Sequence, residues 1–358
     1  MNSSSREFEK TLARFKERRI AVLFDDCATS PTAVLCASAG NLDERLLNEA
    51  LHISAGTCFV AMPPSRVKAF MLAPMMRPSS VPGGAQRTNP SFPLCVSVEA
   101  REGVTTGISV ADRSRTISIL GEEQPNPRKL VRPGHIFPVE VRDGGILVRN
   151  ALPEGALDLV RLSCHREAAF FLDLMDGNGE SVGRDFVQQT ALRHALPAIL
   201  LSELIHYRLC TETLVSKIAE ARLPSRIAQG LRTFLYRSSI HSGEHLAPVK
   251  GTIDPELPVL TRIQPEYTCA DVFGGEHPAS RKQLHAAMQA IESNGSGIVI
   301  YLRRPQRGEL REQVRSLSDQ HSRPAAAELR EYGLGAQILR DLGARKIELM
   351  SASSRVLE

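Results

Sequence analysis

The stretch Leu130 to Arg149, LVRPGHIFPVEVRDGGILVR, carries the reading of the first half of the chain. Ile136 to Val141 stays apolar at alternating or continuous positions, as a buried strand does, and Ile146 to Val148 reads as a second strand. Asp143, Gly144 and Gly145 supply the turn between them. Upstream, Val98 to Ile117, VEAREGVTTGISVADRSRTI, is its companion: strand signals cover Cys95 to Glu99 and a helix begins near Val110. Thr105, Thr106, Asp112, Arg115 and Thr116 either cap that helix or give polar contacts to a pocket beside it.

Outward from this core, elements alternate. Phe8, Leu12 and Phe15 fall at helical spacing, so the first helix should lay one apolar stripe on the strand Ile20 to Phe24. Asn41 followed by Glu44 is a capping signal for a helix through about His52, and Gly56 stops it before the strand Cys58 to Met62. Ala73 to Pro93, rich in Pro, Ser and Gly, reads as a long loop. A second unit is expected to begin after Tyr207 to Leu209, giving domains 1–209 and 210–358. Thr211 to Leu260 mixes a short helical stretch with strand-like pieces. Leu284, Ala287, Met288 and Ile291 form a helical stripe ending near Gly295; Gly297 to Leu302 is a buried strand, and a helix over 336–342 meets a strand over 347–350 at Gly343. The fold class is α/β or α+β in each half.

A chain of 358 residues fits two domains at roughly 100 to 200 residues each. Hydrophobic residues at 42% and charged residues at 23% describe an ordinary globular protein, and no apolar run approaches the roughly 18 residues of a membrane span. The opening MNSSSREFEKTLARFKERR lacks an apolar segment and carries acidic groups, which argues against a signal or transit peptide and for a cytoplasmic protein. A net charge of +4 suits phosphorylated small molecules, whereas the lack of Trp and 5% aromatics leave little for stacking on nucleic acid. Seven cysteines without a CxxC pair read as mostly small core residues in a reducing compartment.

The two central stretches resemble the core of 3,4-dihydroxy-2-butanone 4-phosphate synthase, which makes a four-carbon phosphate from ribulose 5-phosphate. Downstream, EHLAPVKGTI, DVFGG, YLRR and REYGLGAQILRDLGARKIEL resemble GTP cyclohydrolase II, as in the fused bifunctional enzymes of riboflavin synthesis. The first resemblance implies a divalent cation that polarises a sugar phosphate. Its ligands are a Glu in a DDxDRENEGD motif and a His in a GHTEA motif. In this chain Ser30 stands at the Glu, Leu152 at the His and Pro153 at a phosphate-contacting Thr. His135 matches a catalytic His, Arg149 a phosphate-binding Arg, and Asp173 replaces a catalytic Glu. These residues read either as a residual phosphate pocket or as groups that hydrogen-bond the folded core.

The second resemblance implies a zinc held by three cysteines, and the metal activates the water that opens the GTP ring. Here Tyr267, Pro278 and Ser280 occupy those three positions. A shifted site using Cys269, His277 and His285 matches no known zinc spacing. Of the loop that contacts GTP, Arg307 and Gly308 match; the segment that follows it in the family finds no counterpart. Glu328 stands at the Asp acceptor and Arg330 at the nucleophile's place, while Arg262, Glu266 and Gln283 remain as nucleotide-binding candidates. The expectation is a relative that has lost both parent reactions, carries no metal cofactor, and binds a phosphorylated ligand or a riboflavin-pathway enzyme. The alternatives are metal-independent chemistry on a sugar phosphate or purine nucleotide, through His135, Asp173, Glu328 and Arg330, or one surviving parent activity. The family's pairing through its synthase domain implies a homodimer; neither nucleic acid nor membrane is an expected partner.

Overall fold

The computed structural model describes residues 3–28, 31–75, 93–240, 243–275, 279–303, 310, 313–314 and 325–350. Two compact units divide the chain, Met1–Arg208 and Leu209–Glu358. Most of the loop expected over Ala73 to Pro93 lies outside the described residues, as do Ser30, His277, Pro278 and Arg307.

The first unit is built on β1 (Ile20–Asp25), β2 (Thr32–Ser38), β3 (Cys58–Met62), β4 (Val98–Ala100), β5 (Leu130–Glu140), β6 (Ala169–Asp173) and β7 (Ala198–Leu200). They form one sheet in the order β4-β5-β3-β6-β2-β1-β7, with β3 parallel to β5, β1 parallel to β7 and the other pairs antiparallel. The central strands are apolar without alternation because helices cover both faces: β1 (IAVLFD) and β3 (CFVAM) are buried at every position. On one face lies α5 (Leu152–Cys164), itself packed by α1 (Ser3–Arg18), whose Phe8, Leu12 and Phe15 are buried. On the other, α2 (Glu44–Ile53) and α4 (Val110–Gly121) bring Leu46, Leu47, Ile117 and Leu120 against Val22, Leu35 and Val60; α3 (Pro64–Ala69), α6 (Arg184–Arg193) and α7 (Leu201–Thr211) are further helices.

Three local expectations change. The cap of α2 is Asp43, not Asn41: its carboxylate accepts from the Leu46 N–H, while Asn41 ends a short 3-10 turn. Cys95 lies outside the strand, bridging Pro74 and donating its N–H to the Pro138 carbonyl, and the strand proper starts at Val98. Ile146 to Val148 is no strand. Gly144 and Gly145 both take positive φ, and the chain enters a 3-10 turn over Gly145–Leu147 whose Ile146 N–H donates to the buried Asp158. That carboxylate comes from α5, twelve residues on, and Arg208 pairs with it at 2.6 Å.

The start of α4 is a small device in its own right. Ser109 caps the helix through the Asp112 N–H. One oxygen of Asp112 accepts from the N–H groups of Thr105, Thr106 and Gly107 and from the Thr105 hydroxyl, at 2.9 to 3.2 Å, drawing the preceding loop onto the helix. At the other end, Gly121 crosses Gly40 so closely that a methyl on Gly121 would lie 2.2 Å from the Gly40 nitrogen.

The second unit holds β8 (Val215–Leu223), β9 (Leu231–Ser238), β10 (Glu244–Lys250), β11 (Pro258–Pro265), β12 (Gly297–Leu302) and β13 (Lys346–Leu349), in the order β13-β11-β12-β10-β9-β8. β11 runs parallel to β12 and β13, and the other pairs are antiparallel. After the short helix α8 (Thr268–Asp271), helices α9 (Ser280–Asn294) and α10 (Ala325–Asp341) pack on β11 and β12. Gly295 closes α9 in the left-handed conformation, as its position after the stripe requires. The short helical stretch expected after Thr211 is absent among the described residues 212–260; β10 alternates buried and half-buried positions with the period of a strand. Gln337 of α10 donates to the Leu209 and Glu212 carbonyls and accepts from the Leu214 N–H, fixing the start of this unit to its last helix. Among the described residues no helix is long and apolar enough to cross a membrane.

Gly121→Ala is expected to destabilise the protein by about 1–3 kcal/mol, because the added methyl meets backbone that cannot rotate away. Thermal melting checks it, with Tm falling by roughly 2–4 °C for each kcal/mol. A second expectation concerns acid. Burial opposes ionisation of Asp112, but the N–H donors of Thr105 and Gly107 outweigh it and hold the carboxyl below the usual aspartate range. A depressed folded pKa gives stability that is present above the ordinary value of about 3.9 and lost as pH falls through the folded value. Asp112→Asn should therefore melt earlier than wild type at neutral pH, with the two converging in acid; melting curves between neutral pH and the acid limit measure this.

Candidate functional site

Strand register puts three of the unit's polar side chains on one face and toward one end of the sheet. Phe59 of β3 pairs with Phe137 of β5 and with Phe171 of β6, and its ring stacks on Phe171 at 5.1 Å, so these rings share a face of the sheet. His135 and Asp173 lie two residues from Phe137 and Phe171, both toward the N-terminal end of β3, and so share that face and that end. Asp173 pairs with Val34, Val34 with Leu23, and Asp25 lies two residues beyond Leu23 in the same direction. Burial alone pushes the Asp173 carboxyl up. Asp25 is raised chiefly by burial too, against the N–H groups of Cys27 and Ala28 that donate to it.

His135 is half exposed, and its Nδ1 lies 2.7 Å from Oε2 of Glu99, a carboxylate on β4 with a side chain only 10% exposed. Thr116 of α4 stands 3.0 Å from the other Glu99 oxygen. Gly107, at φ +77, closes over the pair: a Cβ there would lie 2.2 Å from Glu99 and 2.5 Å from His135 Nδ1. Sequence reasoning found His135 and missed Glu99. The available signal was a carboxylate between Val98 and Ala100 in a strand, a buried position that a charge occupies only with partners.

Arg149 is turned inward. Its guanidinium pairs with Glu154 at 2.5 Å, and Glu154, at the start of α5, is fully buried. Burial raises the Glu154 carboxyl, opposed by Arg149 and by the Arg142 N–H. The phosphate-binding candidate is thus already engaged by a carboxylate. Cys27 stands between Asp26 and Asn150, and burial, with the two neighbouring carboxylates, pushes its thiol up to about 12, so it is protonated at neutral pH. Of the seven free cysteines only Cys36, Cys58 and Cys95 are buried, fewer than expected; Cys210 is exposed.

In the second unit, Arg262 of β11 meets Gln283 of α9 at 2.7 Å, Gln264 at 3.0 Å and the Met350 carbonyl at 2.9 Å. Glu266 accepts from the Thr268 hydroxyl. Beside them, Asp271 accepts from Ser280 at 2.5 Å, Tyr301 at 2.7 Å and the Tyr267 N–H at 2.8 Å, while the Gln264 amide donates to Ser280. Glu328 and Arg330 fall within α10, but their side chains lie outside the described residues, as does Arg307.

Neither set of residues fits the metal of the family it resembles. In the first unit Leu152, at the metal-binding His position, is a buried alkyl chain with no lone pair. In the second, the Ser280 hydroxyl is taken up by Asp271 and Gln264, and Tyr267 and Pro278 replace thiolates. Among the described residues no group of three His, Cys, Asp or Glu side chains could hold a metal ion.

The family model for 3,4-dihydroxy-2-butanone 4-phosphate synthase matches residues 9–207, and that for GTP cyclohydrolase II matches residues 216–358. Riboflavin biosynthesis protein RibBA of Aquifex aeolicus is 31% identical over 361 residues, covering 97% of this chain and 87% of its own. RibBA of Salinispora arenicola is 37% identical over 268 residues and a rice protein, probable monofunctional riboflavin biosynthesis protein RIBA 3, 38% over 270; each alignment covers 72% of this chain. This chain spans only 64% and 50% of those two relatives. Among solved structures, RibBX, a two domain 3,4-dihydroxy-2-butanone 4-phosphate synthase from A. baumannii, superposes with a TM-score of 0.78 at 24% identity, covering 97% of this chain and 94% of its own, which is a likeness of fold. The order of its two matched domains and its likeness to RibBA along nearly its whole length place the chain in the family of riboflavin biosynthesis proteins that join a 3,4-dihydroxy-2-butanone 4-phosphate synthase domain to a GTP cyclohydrolase II domain.

Proposed function

We propose that this chain serves riboflavin biosynthesis without running either metal-dependent parent reaction, and that its first unit binds a phosphorylated small molecule at the face shared by His135, Asp173 and Asp25. The observation that carries this reading is the occupation of the metal positions: Leu152 is apolar and buried, and Ser280 is locked between Asp271 and Gln264. A sugar phosphate needs a Lewis acid to polarise its oxygens in that chemistry, and an alkyl chain cannot hold one. The absence of a resident metal is part of the proposal. So is a homodimer formed through the first unit, in which a binding-only chain could also pair with an active pathway enzyme.

A specific observation favours a second reading, metal-independent proton transfer: His135 is held by a carboxylate and half exposed, the arrangement of a general base. One experiment separates the two. Purified protein is given ribulose 5-phosphate with Mg²⁺, or GTP with Zn²⁺, and product formation is followed beside calorimetric titration of ribulose 5-phosphate. The binding reading expects a measurable Kd and no turnover, with affinity reduced in His135→Ala. Turnover of either substrate at a rate comparable to an active RibBA would refute it. Slow turnover that persists in a chelator and is lost in His135→Ala would favour the second reading.

A further inference from the structure

We propose that Glu99 is the positioning residue for His135: it holds the imidazole with its proton on Nδ1 and so leaves Nε2 as the nitrogen offered to the ligand. The ligand part rests on the reading above that this face receives one. An ionised carboxylate has no hydrogen to give, so the hydrogen shared across 2.7 Å between Glu99 Oε2 and His135 Nδ1 belongs to the imidazole. Which ring nitrogen carries the proton follows from the bond the other one makes.

The surroundings fix both partners. Glu99 projects from β4, beside the strand that carries His135. Its second oxygen faces the Thr116 hydroxyl at 3.0 Å. That hydroxyl also lies 3.0 Å from the Asp112 carbonyl, but it has one proton, and the charged oxygen is the stronger acceptor. Gly107 roofs the pair, and its own N–H is tied to Asp112, so the loop cannot lift without breaking the Asp112 cluster. No side chain larger than hydrogen fits there: a methyl would press on Glu99 and His135 together. The imidazole keeps 49% of its surface, so part of the ring stays open to solvent beside that roof.

Nitrogen-15 NMR of histidine-labelled protein tests this directly, at a pH above about 8 where an ordinary imidazole is neutral. The His135 signals are assigned by their loss in His135→Gln. Wild type should show the Nδ1–H form at His135, and both Glu99→Ala and Gly107→Ala should lose it while the other histidine signals stay in place. An Nε2–H form in wild type, or an unchanged tautomer in folded Glu99→Ala, would overturn the proposal; the wild-type spectrum decides even if a variant fails to fold. Titration with ribulose 5-phosphate is the separate arm. Glu99→Ala should weaken binding about tenfold, the scale of one charge-assisted hydrogen bond. If wild type shows the Nδ1–H form but binds no sugar phosphate, the binding reading fails and the role of Glu99 in orienting His135 stands.

Discussion

The pairing of β3 with β5 on one side and β6 on the other is the constraint on which the first unit's site depends. Side chains in a strand alternate between faces, so a slip of one residue in either pairing would turn His135 or Asp173 to the opposite face. The register is held by burial. Phe59, Phe137 and Phe171 meet on one face, while Val60, Phe170 and Leu172 belong to the core on the other. A shift would place apolar residues against the wrong helices across the whole sheet.

Local hydrogen bonding then sharpens what the sheet positions. Asp112 gathers the loop before α4, that loop sets Gly107 over the His135–Glu99 pair, and Thr116 reaches Glu99 from one turn further along the same helix. The chain of support runs from helix cap to loop to dyad, so acid that neutralises Asp112 should loosen the site before it melts the core. In the second unit an analogous cluster forms around Asp271: Ser280, Tyr301 and the Tyr267 N–H donate to it, while Gln264 donates to Ser280 and accepts from Arg262. A network so satisfied rigidifies its surroundings and offers few free groups to a ligand.

Much of this fold is legible in the chain. Cys58 to Met62 and Gly297 to Leu302 are short apolar runs bounded by Gly or Pro, and the stripe through Leu284 and Ile291 ends at a glycine that can take positive φ. What could not be read depends on partners far along the chain. Ile146 to Val148 has the composition of a strand, but the Asp158 carboxylate claims the Ile146 N–H and bends the chain into a 3-10 turn. Asn41 and Glu44 have capping-box spacing, yet Asp43 sits where its carboxylate reaches the third N–H of the helix. At the site, His135 and Asp173 are visible through the family they resemble, whereas Glu99 acquires its meaning only when β4 is laid against β5. Arg149 shows the limit of a resemblance: the residue matches, and its guanidinium already pairs with the buried Glu154.

On the proposed reading, substitution at the metal positions removes the parent chemistry from both units. Metal content after dialysis against zinc and magnesium, measured per chain by elemental analysis, bears on it most directly. Neither ion is expected to be retained in stoichiometric amount. About one zinc per chain, the stoichiometry of an intact hydrolase centre, surviving dialysis and lost on replacing Cys269 and His277, would contradict it.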